Sequence, residues 1–276
     1  MHTPLSPADA QRAAHGSTVE RLARTGYFVK GLLYGLIGIL ALLTALGQGG
    51  QTTGTRGAIR TLADAPFGHV LLWLIAIGLV GYALWRFAQS ILDVEDKGSD
   101  AEGATKRLGL AGSGLIYGGL AVSTFNLLLG DGTGESGGSG AASWTARLME
   151  QPFGVWLVGM AGVGTIALGL YQLYRAWAVT FEDKLKTREM SAAQQTWAVR
   201  ISRFGIGARG VVFVLMGTFV IQAALQADPQ EARGLDGALE ALEGQPHGPY
   251  LLGLAALGLV AYGVYCLVNA RFRRIG

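Results

Sequence analysis

The chain is poor in the residue types from which most catalytic and metal sites are built. It has a single cysteine, Cys266, which excludes an intrachain disulfide and a cysteine-built metal centre. It has four histidines and only 15% charged residues, whereas a soluble domain carries about 25%. No Asp or Glu falls inside the six apolar stretches described next, which argues against the carboxylate relays of proton pumps. We therefore expect no enzyme, no cofactor and no catalytic or metal-binding residues.

Long hydrophobic stretches are what the sequence does have. Half of the 276 residues are hydrophobic and 43 are glycine, a residue that is more frequent in membrane helices than in soluble ones. Crossing a bilayer takes about 20 apolar residues. Six stretches reach that length, and they predict an all-α polytopic membrane protein: 27–46, 68–90, 108–129, 153–178, 206–226 and 249–270.

The distribution of Lys and Arg predicts an orientation. Of the 22 cationic side chains, 18 fall in the N-terminal segment, the second and fourth connections and the C-terminal tail. The other three connections carry nine acidic residues. Because cytoplasmic segments are enriched in Lys and Arg, both termini are expected in the cytoplasm and the first apolar stretch is expected to be a signal anchor.

The chain contains three copies of one two-helix pattern. The segments that begin at Arg24, Arg107 and Arg203 align, and each has a glycine at the same offset: Gly31, Gly114 and Gly210. The second stretch of each copy begins near a Pro-x-Gly sequence, at Pro66, Pro152 and Pro246. We place a tail at 1–17 and repeats at 18–95, 101–190 and 194–276.

Two membrane spans per repeat make the three repeats parallel, unlike the inverted repeats of many transporters. The sequence therefore predicts six transmembrane helices in a pseudo-threefold bundle of three hairpins. The pairs Gly31/Gly35 and Gly114/Gly118 have the GxxxG spacing that lets helices pack closely in lipid.

Local signals predict smaller features. Each proline is expected in the first turn of its helix, where a missing N–H costs little. A short amphipathic stretch precedes each proline and predicts a brief helix at the outer interface: "AIRTLADA", "WTARLMEQ" and "ALEALEGQ". The Gly/Ser-rich segment 130–143 predicts a flexible tether.

Polar residues recur near the inner ends of the predicted helices: Lys30, Arg209, Arg86, Gln89, Arg175 and Asn269. They could line a cationic vestibule that binds an anion or a phospholipid headgroup. Alternatively, they are flanking residues that reach the interface by snorkelling. Arg24, Arg107 and Arg203 are expected at the headgroups, in contact with anionic lipid. The second repeat has Ser113 where the others have Lys30 and Arg209, which argues against a strictly threefold cationic site.

The thrice-repeated pattern of Arg-x-Gly, a basic residue with glycine, an aromatic residue and Pro-x-Gly resembles the bacterial integral membrane proteins of domain of unknown function family 1206. The resemblance covers about residues 18–275 and implies a bacterial plasma-membrane protein without established activity. We expect a structural or interaction role. The expected partners are the lipid bilayer and another membrane protein, and no binding of nucleic acid is expected. The alternative is a facilitator or binding protein for a small solute, an anion or a lipid along the pseudo-threefold axis.

Overall fold

The computed structural model describes residues 7–50, 52–91, 100–129, 140–182 and 190–273. Within these ranges the regular structure is helical, in the order α1 (Pro7–Ala45), α2 (Thr55–Ala63), α3 (Gly68–Ile91), α4 (Ala101–Leu128), α5 (Gly140–Met149), α6 (Gly154–Ala178), α7 (Ala192–Gln226), α8 (Leu235–Glu243) and α9 (Gly248–Phe272). A short 3-10 turn at Pro229–Glu231 precedes α8.

Six of these helices are long and apolar enough to cross a membrane, which confirms the predicted fold class. They are α3, α4, α6, α7, α9 and the Ala23–Ala45 part of α1. Each repeat supplies two of them, a first helix (α1, α4 or α7) and a second helix (α3, α6 or α9). The arrangement of the three hairpins about a common axis stays a prediction.

The first helix of each repeat starts earlier than the apolar pattern indicates. Helix α7 begins at Ala192, where the side chain of Ser191 forms a capping box with Gln194, and α4 begins after an Asp100 cap. These caps satisfy free N–H groups at the helix start and allow polar residues to extend the helix. Helix α1 begins at Pro7, so 7–17 of the predicted tail is helical, while 1–6 lies outside the described residues.

The three predicted amphipathic helices are present as α2, α5 and α8, each just before a second helix. The predicted tether at 130–143 is partly wrong, because α5 already begins at Gly140. Residues 130–139 of that prediction lie outside the described part of the chain.

The three Pro-x-Gly sequences form the same sharp turn. The residue after each proline has a left-handed backbone: φ is 63° at Phe67, 61° at Phe153 and 65° at His247. Residues with a Cβ atom rarely adopt this backbone conformation, which costs roughly 1–2 kcal/mol for an L-residue. The prediction that the prolines occupy the first helical turn is therefore wrong, since the helices begin only at the following glycines.

In the second and third of these turns, the close approach of the preceding short helix requires a glycine. A Cβ atom at Gly154 would overlap the carbonyl oxygen of Leu148, and one at Gly248 would overlap that of Glu243. The motif thus connects a short helix to a membrane-length helix through only a few residues.

The chain divides into two compact units, which are described separately below. The first unit contains the described residues among 1–30, 66–132 and 267–276, and therefore α3, α4, the first part of α1 and the end of α9. The second unit contains those among 31–65 and 133–266, and therefore the rest of α1 and α9 with α2 and α5 to α8.

Candidate functional site

A cluster of cationic and aromatic side chains is buried in the first unit. Lys30 is 6% exposed, its Nζ atom lies 3.5 Å from the Tyr82 hydroxyl, and it is 5.4 Å from the ring centroids of Tyr82 and Tyr117. Arg86 donates from Nε to the same hydroxyl at 3.0 Å and from Nη1 to the Gln89 amide oxygen at 2.9 Å. We call these five residues the Lys30 cluster.

The backbone of α1 brings the Lys30 cluster together. A Cβ atom at Gly26 would lie 2.5 Å from Cβ of Tyr82, so only a glycine lets α1 approach α3 this closely. Because Lys30 follows Gly26 by one helical turn, its side chain lies on the same face of α1 and meets the tyrosine hydroxyl.

A second cluster lies in the second unit around Arg209. The Arg209 Nε atom donates to the Tyr34 hydroxyl at 3.1 Å, and Nη1 donates to the Gln172 amide oxygen. The guanidinium carbon lies 4.0 Å from the Phe213 ring centroid and 4.8 Å from that of Tyr262. These five residues form the Arg209 cluster.

The two clusters repeat one arrangement. Tyr82 and Tyr262 stand at the same distance from Pro66 and Pro246, and Tyr117 and Tyr34 occupy equivalent positions in their first helices. The Tyr82 and Tyr117 rings meet edge to face at 4.6 Å and 80°, and the Tyr34 and Tyr262 rings do so at 4.8 Å and 72°. In each case a tyrosine of one repeat meets an aromatic residue of another, so the clusters join repeat 1 to repeat 2 and repeat 3 to repeat 1.

The glycine that allows a tyrosine of the second helix to pack closely is present in the third repeat as well as the first. A Cβ atom at Gly205 would overlap the backbone of Tyr262, as one at Gly26 would overlap Tyr82. Gly109 is the equivalent glycine of the second repeat, and no side chain or neighbouring helix among the described residues lies within 4 Å of a Cβ atom built there. The second repeat has Ser113 at the cationic position and Leu168 at the tyrosine position. The second repeat therefore differs from the other two at the cationic position, at the tyrosine position and in the packing around Gly109.

Two of the three signature arginines bind a helix end. Arg24 donates to the carbonyl oxygens of Ala270 and Arg271 at 2.7 and 2.6 Å. Arg107 donates to those of Ser90 and Ile91 at 2.7 and 3.0 Å, which are equivalent positions in the repeat. The last carbonyls of a helix have no partner within the helix and attract cations.

These bonds give Arg24 and Arg107 partners within the protein, in addition to the headgroups expected from the sequence. Arg24 also forms an ion pair with Glu20 at 2.5 Å. Arg203 makes no equivalent bond to the described residues; it is exposed, and α6 ends differently, with Val179 in a left-handed conformation. The signature arginine thus joins one repeat to another at two of the three positions, repeat 1 to repeat 3 through Arg24 and repeat 2 to repeat 1 through Arg107.

Glycines join the second helix of one repeat to the first helix of another. A Cβ atom at Gly169 would lie 2.7 Å from the carbonyl oxygen of Gly210, and one at Gly210 would lie 2.9 Å from that of Gly169. A Cβ atom at Gly263, equivalent to Gly169, would lie 2.8 Å from the carbonyl oxygen of Gly31. Gly114 instead faces the Phe87 ring at 3.1 Å.

The structure separates the six polar residues that the sequence singles out. Lys30, Arg86 and Gln89 share the Lys30 cluster, and Asn269 accepts a hydrogen bond from Arg273 at 3.4 Å in the same unit. Arg209 and Arg175 belong to the second unit, where Arg175 donates to the Tyr265 hydroxyl at 3.4 Å. Lys30, Gln89 and Asn269 are buried, so simple snorkelling to the interface does not describe them.

The repeated aromatic position of the sequence pattern includes Tyr34 and Tyr117, but sequence reasoning gave it no role beside the cations. It did not single out Tyr82, Tyr262 and Gln172, of which Tyr82 and Gln172 supply oxygen atoms for the cations. Extending the repeat alignment through the second helices would have indicated them, because Tyr82 matches Tyr262 and Arg86 matches Gln172. Chemically, hydroxyl and amide oxygens satisfy cationic donors without neutralising their charge, and the tyrosine rings add cation–π attraction. Both clusters can therefore stabilise helix packing and attract an anion.

The fold and these contacts define a class: a polytopic helical membrane protein made of three tandem two-helix repeats. The chain belongs to the family described as Domain of Unknown Function (DUF1206), which it matches over residues 25–93, 108–178 and 204–273. It is 35% identical over 257 residues to an uncharacterized protein, YxxB, of Bacillus subtilis (strain 168), covering 93% of this chain and 92% of that protein. No solved structure matches the chain.

Proposed function

We propose that this protein is a non-enzymatic component of the bacterial plasma membrane that acts through contacts with other membrane proteins. The observation that supports this role is how its polar residues are used. Arg24, Arg107, Lys30 and Arg209 all make contacts that join one repeat to another. Such contacts hold a helical framework together without presenting a reactive group.

Helix α4 offers a surface for a partner. Gly112, Leu115, Ile116 and Gly119 follow one face of the helix at the spacing of helical neighbours. Leu115 and Ile116 are 68% and 71% exposed, and within the described part of the chain no other element comes within 4 Å of a Cβ atom at either glycine. Glycines on an apolar face allow another membrane helix to approach closely, so we assign this face to a helix of a partner protein.

Photo-crosslinking in cells tests the interaction role. A photoreactive residue placed at Ile116 should yield a discrete adduct with a second protein, while the same residue at Ala121, which is 2% exposed, should not. Crosslinks at Ile116 that stay within the chain or reach only lipid would contradict the proposal. A solute flux through proteoliposomes that Arg209→Gln abolishes would favour the facilitator alternative.

The orientation proposed with this role places both termini in the cytoplasm, supported by the excess of Lys and Arg in the second and fourth connections and both terminal segments. Alkaline phosphatase fused after Gly50 should be active, and green fluorescent protein fused to the C-terminus should fluoresce. The reverse pattern would overturn the orientation.

A further inference from the structure

A buried hydrogen-bond donor in the first unit has no acceptor among the described residues. Trp85 is 2% exposed and belongs to one buried cluster with Ala23, Tyr27 and Tyr82. Its Nε1 atom makes no hydrogen bond to any described residue. An indole N–H can only donate, and leaving it unpaired in an apolar interior is costly. The position therefore suits an acceptor that comes from outside the chain.

Three cationic side chains surround the aromatic rings of this cluster. The guanidinium carbon of Arg273 lies 5.1 Å from the Tyr27 ring centroid. Arg86 and Lys30 lie 4.8 and 5.4 Å from that of Tyr82. The two tyrosine rings meet edge to face with centroids 5.7 Å apart. The two tyrosines thus bring three cationic side chains to the cluster that also contains the Trp85 indole.

The contacts of Arg86 hold its guanidinium group in position but do not neutralise its positive charge. Its described partners are the Tyr82 hydroxyl and the Gln89 amide oxygen, both neutral. The sequence has no Asp or Glu within the six predicted apolar stretches. An anion beside Arg86 would compensate the charge that these two neutral partners leave in place.

We propose that the first unit binds an oxyanion of the phosphate type, held by the indole N–H of Trp85 and the charges of Arg86, Lys30 and Arg273. Phosphate oxygens accept from both indole and guanidinium donors, and an anion with several oxygen atoms can interact with more than one cationic side chain at once. The phosphodiester of a lipid headgroup and free inorganic phosphate share this chemistry. The site is independent of the partner surface on α4, and either assignment can fail without the other.

The test observes the indole N–H directly. Wild-type protein labelled with ¹⁵N-tryptophan in a neutral detergent should show six indole signals, one for each tryptophan, and Trp85→Phe identifies the relevant one. Inorganic phosphate and phosphatidylglycerol are then titrated separately. A saturable shift of the Trp85 signal with phosphatidylglycerol alone indicates a lipid ligand, and a shift with phosphate indicates a free anion. No shift of this signal with either probe overturns the site.

Two matched substitutions test the charge. Arg86→Gln should weaken the affinity for the active probe by about tenfold or more, because a charged hydrogen-bond donor is lost. Arg175→Gln, on the equivalent helix in the second unit, should leave the affinity unchanged. Equal affinities for wild type and Arg86→Gln would overturn the proposal. The wild-type titration decides the matter even if Arg86→Gln fails to fold.

Discussion

The reciprocal contact between Gly169 on α6 and Gly210 on α7 gives a sharp prediction about helix packing. A Cβ atom at Gly169 would lie 2.7 Å from the Gly210 carbonyl oxygen, whereas ordinary van der Waals contact begins at 3.4 Å. The neighbouring atom is backbone and cannot rotate away, so Gly169→Ala must move the helices apart. Overpacking of this kind costs about 1–3 kcal/mol, and we expect the free energy of unfolding to fall by that amount.

Gly164 on the same helix provides the matched control. A Cβ atom at this position meets none of the described residues of other elements within 4 Å, so Gly164→Ala causes no clash with them and replaces a poor helix former. That exchange is worth up to about 1 kcal/mol in a helix interior. Exchange of glycine for alanine on α6 should therefore lower the free energy of unfolding at Gly169 and raise it at Gly164.

Unfolding by sodium dodecyl sulfate in mixed micelles, followed by helical circular dichroism, measures both variants. The double substitution Gly169→Ala with Gly210→Ala should cost less than the sum of the single changes, because the helices separate only once. If Gly169→Ala proves as stable as Gly164→Ala, the close approach of α6 and α7 is refuted.

Other predictions concern helix ends and turns, and the same unfolding assay checks each. Arg107→Gln should lower the free energy of unfolding by about 1.5 kcal/mol because bonds to two carbonyl oxygens are lost, whereas Arg203→Gln should change it little; equal effects would count against the helix-end role. Phe153→Gly should be more stable than Phe153→Ala by about 1 kcal/mol, since both lose the ring and only alanine keeps the left-handed strain; the reverse order would contradict it. Ser191→Ala should cost about 1 kcal/mol by removing the cap of α7, and no loss would show that the capping box is not needed.

The long helices are predictable from the sequence because their signal is local. Membrane-length apolar stretches and short amphipathic segments each depend on residues close together in the chain, and the six long and three short helices are present in the structure. Internal repetition strengthened each signal by showing it three times. The helix starts were less accurate, since Asp100 and Ser191 extend the helices through polar sequence.

The contacts between repeats are not visible in local sequence. Nothing near Arg107 indicates that its side chain ends on the carbonyl oxygen of Ser90, because that choice depends on how two helices cross. Tyr34 and Arg209 are 175 residues apart in the chain and in contact in the fold. The left-handed residue after each proline was missed for another reason: Phe67 and Phe153 have side chains that normally avoid that conformation.

The most direct test of the central claim, that polar residues within the helices join the repeats, is a double-mutant cycle on Tyr34→Phe and Arg209→Gln. The hydroxyl and the guanidinium belong to repeats 1 and 3 and lie 3.1 Å apart. The account predicts a coupling free energy of about 1–3 kcal/mol in the unfolding assay. Tyr34→Phe combined with Arg200→Gln, an exposed residue of the same helix, should be additive. Additivity of Tyr34→Phe and Arg209→Gln would contradict the account.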